Sequence, residues 1–504
     1  MKRRQFLKSL GVLGAAMSTP AIFNNAAFIK SAQSAAIQST LNGAGFSMPA
    51  RLPQIINIFL YGGPSELAGN LTNIAEINAA SQNPYTAISP NILKFTNDST
   101  GGQITSHGFW LDAGGQAMED MIASGDMSVY RTINRRKDNT LAHRNSIFSS
   151  QKGTLDIEPS GGVGTMIASV LYANKSQLDG SDLLSGRQLE DMVLPFVSFE
   201  GESTAFAVDS TPASILLPLQ LRSISLDESF ANPYARAAGI ADQATLDALV
   251  NKITVTETSS RYQKINDGFA NRLTLESKIA GLQTNLAAPL PFIGVGVKDA
   301  GSTGLLAYPV NSFSQRVKAA VTLAMQNTDS LYIAIGGGLG GWDDHDNSIT
   351  KYNTRMTDLM TTLRVAAKHI RLGTRPGNVS SNNIVILVHG DFGRNVNLNG
   401  SLGWDHGNNQ NLYTIGGSDV RQGGVAALGK VVGKTERIGD TGKNRQFTQP
   451  TTDSYEAEPM SIAATVYKYF CVQNPAVLTA SAAMNDPNGS VPIDETVAGE
   501  PVLF

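Results

Sequence analysis

Five short apolar runs, separated by stretches of helical periodicity, leave this 504-residue chain few architectures to choose from. They cover residues 55–61, 127–133, 331–335, 384–388 and 412–417. Each has strand length, and nearly continuous apolarity marks a strand covered on both faces. Phe313, Val317, Ala320, Val321 and Ala324 recur at helical spacing before the third run. Tyr352, Met356, Leu359, Met360 and Leu363 do so before the fourth, and Ile462, Val466, Tyr469 and Phe470 mark a C-terminal helix. This alternation predicts an α/β fold, a mostly parallel central sheet with helices on both faces. Residues from about 175 to 310 break the rhythm. One apolar run at 193–197 and helical patterns at 246–253 and 262–273 predict a mainly helical insertion or cap there.

In open parallel sheets, ligands gather beyond the carboxyl ends of the strands. The polar clusters of this chain follow that rule. The first run leads into Gly63-Pro64-Ser65-Glu66, and the second into Arg135-Arg136-Lys137-Asp138-Asn139-Thr140. The third leads to Gly341-Trp342-Asp343-Asp344-His345, the fourth to Gly390-Asp391-Phe392-Gly393-Arg394. Gly403-Trp404-Asp405-His406-Gly407 precedes the fifth. The two Gly-Trp-Asp runs hold two of the six histidines and two of the three tryptophans in the chain.

Asp and neutral His are ligands for a divalent cation, and a catalytic site takes about three from the protein. Asp343 and His345, two residues apart, share one side of an extended loop. His406 completes a three-ligand set, with Asp391 placed to bridge or to bind a second ion. Asp405 is a candidate for orienting the His406 imidazole. The competing account is ordinary loop chemistry, Asp capping turns and His bonding carbonyls. His389 is expected to face the opposite side of its strand, and His107 and His369 to be structural. Trp110 reads as core, Trp342 and Trp404 equally as core or pocket wall. Thr140, at the start of a predicted helix through His143 and Phe148, is the candidate nucleophile or transition-state donor, with Ser146 and Ser65 behind it. Arg394 is the candidate clamp for an anion. Arg131, Arg135, Arg136 and Lys137 either attract an anionic substrate or form a solvated loop.

Met1-Lys2-Arg3-Arg4-Gln5-Phe6-Leu7-Lys8 has the form of a twin-arginine export signal. The apolar stretch after it is shorter than the roughly 20 residues that span a bilayer, so residues 1–36 are expected to be a cleaved signal. Residues 37–52 then read as a linker and 53–504 as the folded domain. No later run is long enough to span a membrane. Residues 1–36 hold five of the 39 basic side chains and no acidic ones. The remainder has 34 basic against 42 acidic residues, a net charge of −8 that excludes nucleic acid as a bulk electrostatic partner. The single cysteine, Cys471, excludes an internal disulfide.

These motifs resemble an exported bacterial family catalogued as domain of unknown function 1501, related to the alkaline phosphatase and sulfatase superfamily. The family's Gly-Gly-Phe-Asp-Thr-His, Ser-Glu-Phe-Gly-Arg and Gly-Thr-Asp-His-Gly look like successive segments between Leu331 and Gly417. Its first strand, closing on Gly-Gly-Ala-Asp-Gly, is similar to Phe59 through Leu67, and its Asn-x-Ser-His to Asn139 through His143. The resemblance implies that Asp343, His345, Asp391 and His406 hold metal. Ser65 stands where the family has Asp, which leaves neighbouring Glu66 as the substitute ligand. Asp391 replaces the family's Glu, Phe392 lies where superfamily phosphatases commonly carry a second-site His, and Ala142 falls near the family's Ser.

The expectation is a periplasmic or secreted metal-dependent hydrolase of phosphate or sulfate esters, exported through the twin-arginine machinery. Zinc is the leading cofactor, with manganese, magnesium or calcium as alternatives, and the substrate is an anionic small-molecule or polymer ester. The alternative is a non-catalytic protein of the same fold that binds a partner at the cell envelope.

Overall fold

The computed structural model describes residues 39–69, 109–138, 141–157, 160–208, 217–232, 248, 252, 263–288, 290, 307–437, 448–482 and 484–500. Eight strands form one sheet: β1 (Gln54–Leu60), β2 (Met127–Asn134), β3 (Phe196–Ser198), β4 (Ile224–Ser225), β5 (Tyr332–Gly336), β6 (Ile384–Gly390), β9 (Asn409–Gly416) and β10 (Val431–Val432). Two small antiparallel pairs stand apart, β7 (Gly393–Arg394) with β8 (His406–Gly407), and β11 (Thr435–Arg437) with β12 (Thr448–Pro450). The main helices are α1 (Gly115–Ala123), α2 (His143–Lys152), α3 (Val163–Ala173), α4 (Gln263–Ala287), α5 (Ser312–Gln326), α6 (Ser348–Leu372) and α7 (Pro459–Tyr469).

The sheet order is β10-β2-β9-β6-β1-β5-β3-β4. All five apolar runs lie in it, and the three predicted helices are α5, α6 and α7. β1 is buried at every position because both its neighbours, β5 and β6, run parallel to it and helices cover both faces. On one face Ile55, Leu387 and Leu412 pack with Ile167 and Leu171 of α3 and Ile462 and Val466 of α7. α5 packs on β1 and β5, and α6 on α1, α5 and β9.

β9 is the exception to the parallel arrangement. It runs antiparallel to both β2 and β6. Its amino end therefore lies where its neighbours have their carboxyl ends, which delivers the residues before it to the same edge as the loops after β1, β2, β5 and β6.

Among the described residues, those within 35–228 and 289–504 form one compact unit and those within 229–288 another. The expected insertion over 175–310 is thus divided. Residues up to 228 supply β3 and β4 to the sheet, whereas α4, the one long helix described in that range, belongs to the second unit. In that unit Gln283 of α4 donates to the Phe230 carbonyl at 2.8 Å. The expected signal, residues 1–36, lies outside the described residues. The expected linker is a docked segment: residues 39–44 are helical, Leu41, Ala44 and Leu52 are buried, and Phe46 bridges to Val472. Among the described residues no helix is long and apolar enough to cross a membrane.

Candidate metal centre

Two glycines set the floor of the site. Beyond β1 the chain turns through Gly62 and Gly63 at φ of 108° and 72°, a region that L side chains rarely adopt. A Cβ on Gly62 would lie 2.6 Å from the Asp343 nitrogen, and one on Gly63 2.6 Å from the Phe392 oxygen. The close approach lets both glycine carbonyls accept from Arg394, Gly63 at 2.7 Å from Nε and Gly62 from Nη2. Arg394 Nη1 donates to the Trp404 carbonyl at 3.2 Å, and Nη2 also donates to Asp343 Oδ1 at 2.6 Å. A fully buried guanidinium so engaged ties together the loops after β1, β5 and β6.

The β7–β8 pair sets Arg394 directly opposite His406. The loop carrying Asp343 is anchored by Trp342 N–H on the Tyr61 carbonyl at 3.0 Å and by a two-point ion pair of Asp344 with Arg355. All three tryptophans surround Tyr352 of α6, with Trp110, Trp342 and Trp404 at 5.9, 6.0 and 5.2 Å between ring centroids. Trp342 and Trp404 are buried there, so they brace the two loops from behind rather than wall a pocket.

Three imidazoles converge on the Asp343 carboxylate. Nε2 of His143, His345 and His406 lie 3.3, 3.0 and 3.4 Å from its Oδ1. Ligand atoms of His143, Asp343 and His406 all lie within 4.8 Å of one another. His345 Nε2 is 3.2 Å from His406 Nε2, on the more exposed flank. Each ring is held through its other nitrogen. His143 Nδ1 is 2.7 Å from Asp391 Oδ2, His406 Nδ1 is 2.8 Å from the Leu141 carbonyl, and His345 Nδ1 is 3.4 Å from Asp405 Oδ1. A carbonyl or carboxylate only accepts, so each Nδ1 carries a proton, and each Nε2 is the atom turned toward the cluster. His143 Nε2 is a buried atom without a hydrogen-bond partner. Asp405 therefore orients His345; its neighbour His406 points elsewhere because adjacent residues in extended chain face opposite sides.

The electrostatics of the cluster centre on one carboxylate. Burial works to raise the Asp343 carboxyl, but the Arg394 hydrogen bond and charge, with His143 and His345, hold it down at about 2. Burial and the Arg394 charge lower the His406 imidazole. The hydrogen bond to Asp391 raises that of His143. Phe392 seals this flank, its ring centroid 4.7 Å from His143 and 4.5 Å from His406.

Of the residues expected at the site, Asp343, His345, His406 and Arg394 come together. Asp391 adjoins them, fully buried, with Oδ1 accepting from Gly62 N–H at 3.1 Å and Oδ2 engaged by His143. Glu66 does not join: it is buried beside Asn409 and the Arg131 charge. Thr140 lies outside the described residues, as does His107. Ser146 is fully buried, and buried Ser65 Oγ accepts from Leu67 N–H at 3.3 Å. Arg131 and Arg135 are interior, and Arg136 and Lys137 pair with Glu456 and Asp486. Arg135 instead bonds the Asp391 carbonyl at 2.9 Å and Ser146, Ser149 and Ser150 of α2, which fixes the helix that begins with His143. His389, buried on Asn57, and His369, half-buried on Tyr308, lie away from the cluster.

His143 is the residue that sequence reasoning passed over. It appeared only as part of a predicted helix and of one family motif, although it is one of just six histidines. Compared with models of known families and with curated proteins, the chain matches none.

Proposed function

We propose that this chain is an exported, metal-dependent hydrolase of phosphate or sulfate esters, with an alkaline-phosphatase-like fold. The observation that carries the reading is the common orientation of His143, His345 and His406. All three donate Nδ1–H outward and turn Nε2 toward Asp343, the arrangement by which proteins prepare imidazoles as metal ligands. His143, Asp343 and His406 would hold the ion, with His345 beside them. A nitrogen-rich set of this kind suits zinc better than the all-oxygen surroundings of magnesium or calcium. Bound there, a divalent cation supplies Lewis acidity toward an ester oxygen.

The protein's own groups do the rest. Asp391 and the Leu141 carbonyl keep His143 and His406 in one tautomer. Arg394 holds Asp343 in place and adds a fixed positive charge under the site. Phe392 excludes water from one flank. Thr140, next to Leu141 in sequence, is the proposed hydroxyl donor or nucleophile. The twin-arginine start supports export.

A second reading, metal binding without turnover, is favoured by one feature. Arg394 spends its donors on three carbonyls and Asp343, so it offers an anion little. Metal analysis of the mature chain, with a panel of phosphate and sulfate esters, separates the two. The hydrolase reading expects bound metal and turnover that both fall away in Asp343→Ala while the fold persists. Bound metal with no turnover on any ester would establish the second reading, and a protein that takes up no metal would end both.

A further inference from the structure

Behind the cluster, a buried group of polar side chains is one proton short. Glu66 begins the turn after β1 and is fully buried. Its Oε2 accepts from Asn409 Nδ2, which also donates to the Arg131 carbonyl at 2.6 Å. Asn411 Nδ2 donates to the Glu66 carbonyl at 2.9 Å and to the Tyr413 hydroxyl at 3.1 Å. These contacts fix the amide orientations, because a flipped Asn409 would set its oxygen against two acceptors. Three buried oxygens are then left with no donor: Glu66 Oε1, Asn409 Oδ1 and Asn411 Oδ1. Each is destabilising if left so.

We infer that Glu66 is a neutral carboxylic acid whose Oε1–H serves the orphaned amide oxygens of Asn409 and Asn411, latching the turn after β1 to the start of β9. One proton on Oε1 converts an unpartnered buried acceptor into a donor. The latch joins the turn whose Gly62 and Gly63 carbonyls hold Arg394 to the strand that begins three residues after His406. Charged and titratable groups facing Glu66 are Arg131 from β2 and Tyr413 from β9, and Glu119 and Glu500 in turn face Arg131. Burial raises the Glu66 carboxyl to about 8, outweighing the Asn409 hydrogen bond and the Arg131 charge, which both favour the ionised form. A cation shared by the three oxygens would meet the Arg131 charge, which makes the proton the better occupant.

The sign of the pH dependence follows. A carboxyl raised in the folded state keeps its proton where the unfolded chain has lost it, so its contribution declines as pH rises from about 4.5 to about 8. The test uses the full chain and two variants. Infrared difference spectra of wild type against Glu66→Gln near neutral pH should show the carbonyl band of an un-ionised carboxylic acid, absent from the variant. Glu66→Gln, which supplies amide donors in place of the acid, should unfold with an equilibrium constant within a few-fold of wild type and lose the decline with pH. Glu66→Ala should raise that constant roughly tenfold or more. Absence of the acid band, a Glu66→Gln variant as damaged as Glu66→Ala, or a tightly held cation released by Glu66→Gln would each overturn the inference.

Discussion

Asp391 occupies a position from which a carboxylate could bind a metal, yet both its oxygens are taken, by His143 Nδ1 and Gly62 N–H. Its effect on an ion is then exerted through the imidazole. Asp391→Asn should leave the ligand set intact and weaken zinc affinity by roughly 10–100-fold, measured by competition with a chelator. Unchanged affinity would mean that Asp391 has no part in preparing His143. Affinity should also fall as pH drops through the ordinary histidine range near 6.5, since protons compete for Nε2. Asp343, held down at about 2, remains ionised throughout that range. For the metal-free protein the two imidazoles act in opposite senses. The raised His143 adds stability below its unfolded pKa and loses it as pH rises, whereas the lowered His406 loses stability as pH falls. Asp343, His345 and His406 were legible because rare acids and histidines followed glycines near strand ends. His143 was not, because a histidine opening a helix has no such punctuation. Glu66 misled for a physical reason: its neighbour Ser65 suggested a missing ligand, but the turn after β1 carries Glu66 into the interior.

At the scale of elements, the reversed strand β9 explains the geometry of the site. The five apolar runs announced five strands, but hydrophobicity does not reveal direction, because parallel and antiparallel neighbours bury the same residues. Reversal brings His406 to the edge that already holds Asp343 and Asp391. The small β7–β8 pair completes the approach, and Gly393 is its tightest point. A Cβ there would lie 1.5 Å from the Asn409 oxygen. Gly393→Ala should therefore lower stability by about 1–3 kcal/mol through forced backbone movement, seen in chemical denaturation, and should lower metal affinity as Arg394 and His406 move apart. An unaffected variant would show that the pair is not needed to align them. The tryptophans illustrate a limit of composition. Sequence left Trp342 and Trp404 equally as core or pocket wall, and the long helix α6 decides it by presenting Tyr352 behind the loops, where they pack with Trp110.

Across the whole molecule, the α/β class was legible from alternation alone, and its boundaries were not. Small polar residues at 37–52 read as a linker, but the segment docks through Leu41, Ala44 and Phe46 beside Val472. Likewise the range expected to be a mainly helical insertion gives β3 and β4 to the central sheet; the apolar run at 193–197 overlaps β3, whereas two-residue β4 carries too little pattern to be seen. Near the other end of the chain, Glu495 reaches into the core, where Arg421 and Tyr469 bond its Oε1 and Gln422 N–H its Oε2. Glu495→Ala would leave the Arg421 guanidinium buried without its counter-charge. We expect a loss of about 3–5 kcal/mol by denaturant titration, and a loss below 1 kcal/mol would contradict a locking role. In the function proposed above, the fold assembles a metal centre in which His143, not only the Gly-Trp-Asp runs, supplies a ligand. Equilibrium titration of the metal-free full chain with zinc, beside the folded His143→Ala variant, tests it most directly. One tight site is expected in the wild type, weakened at least about a hundredfold in the variant; equal affinity in the two would remove His143 from the ligands, and no tight site in the wild type would remove the metal centre.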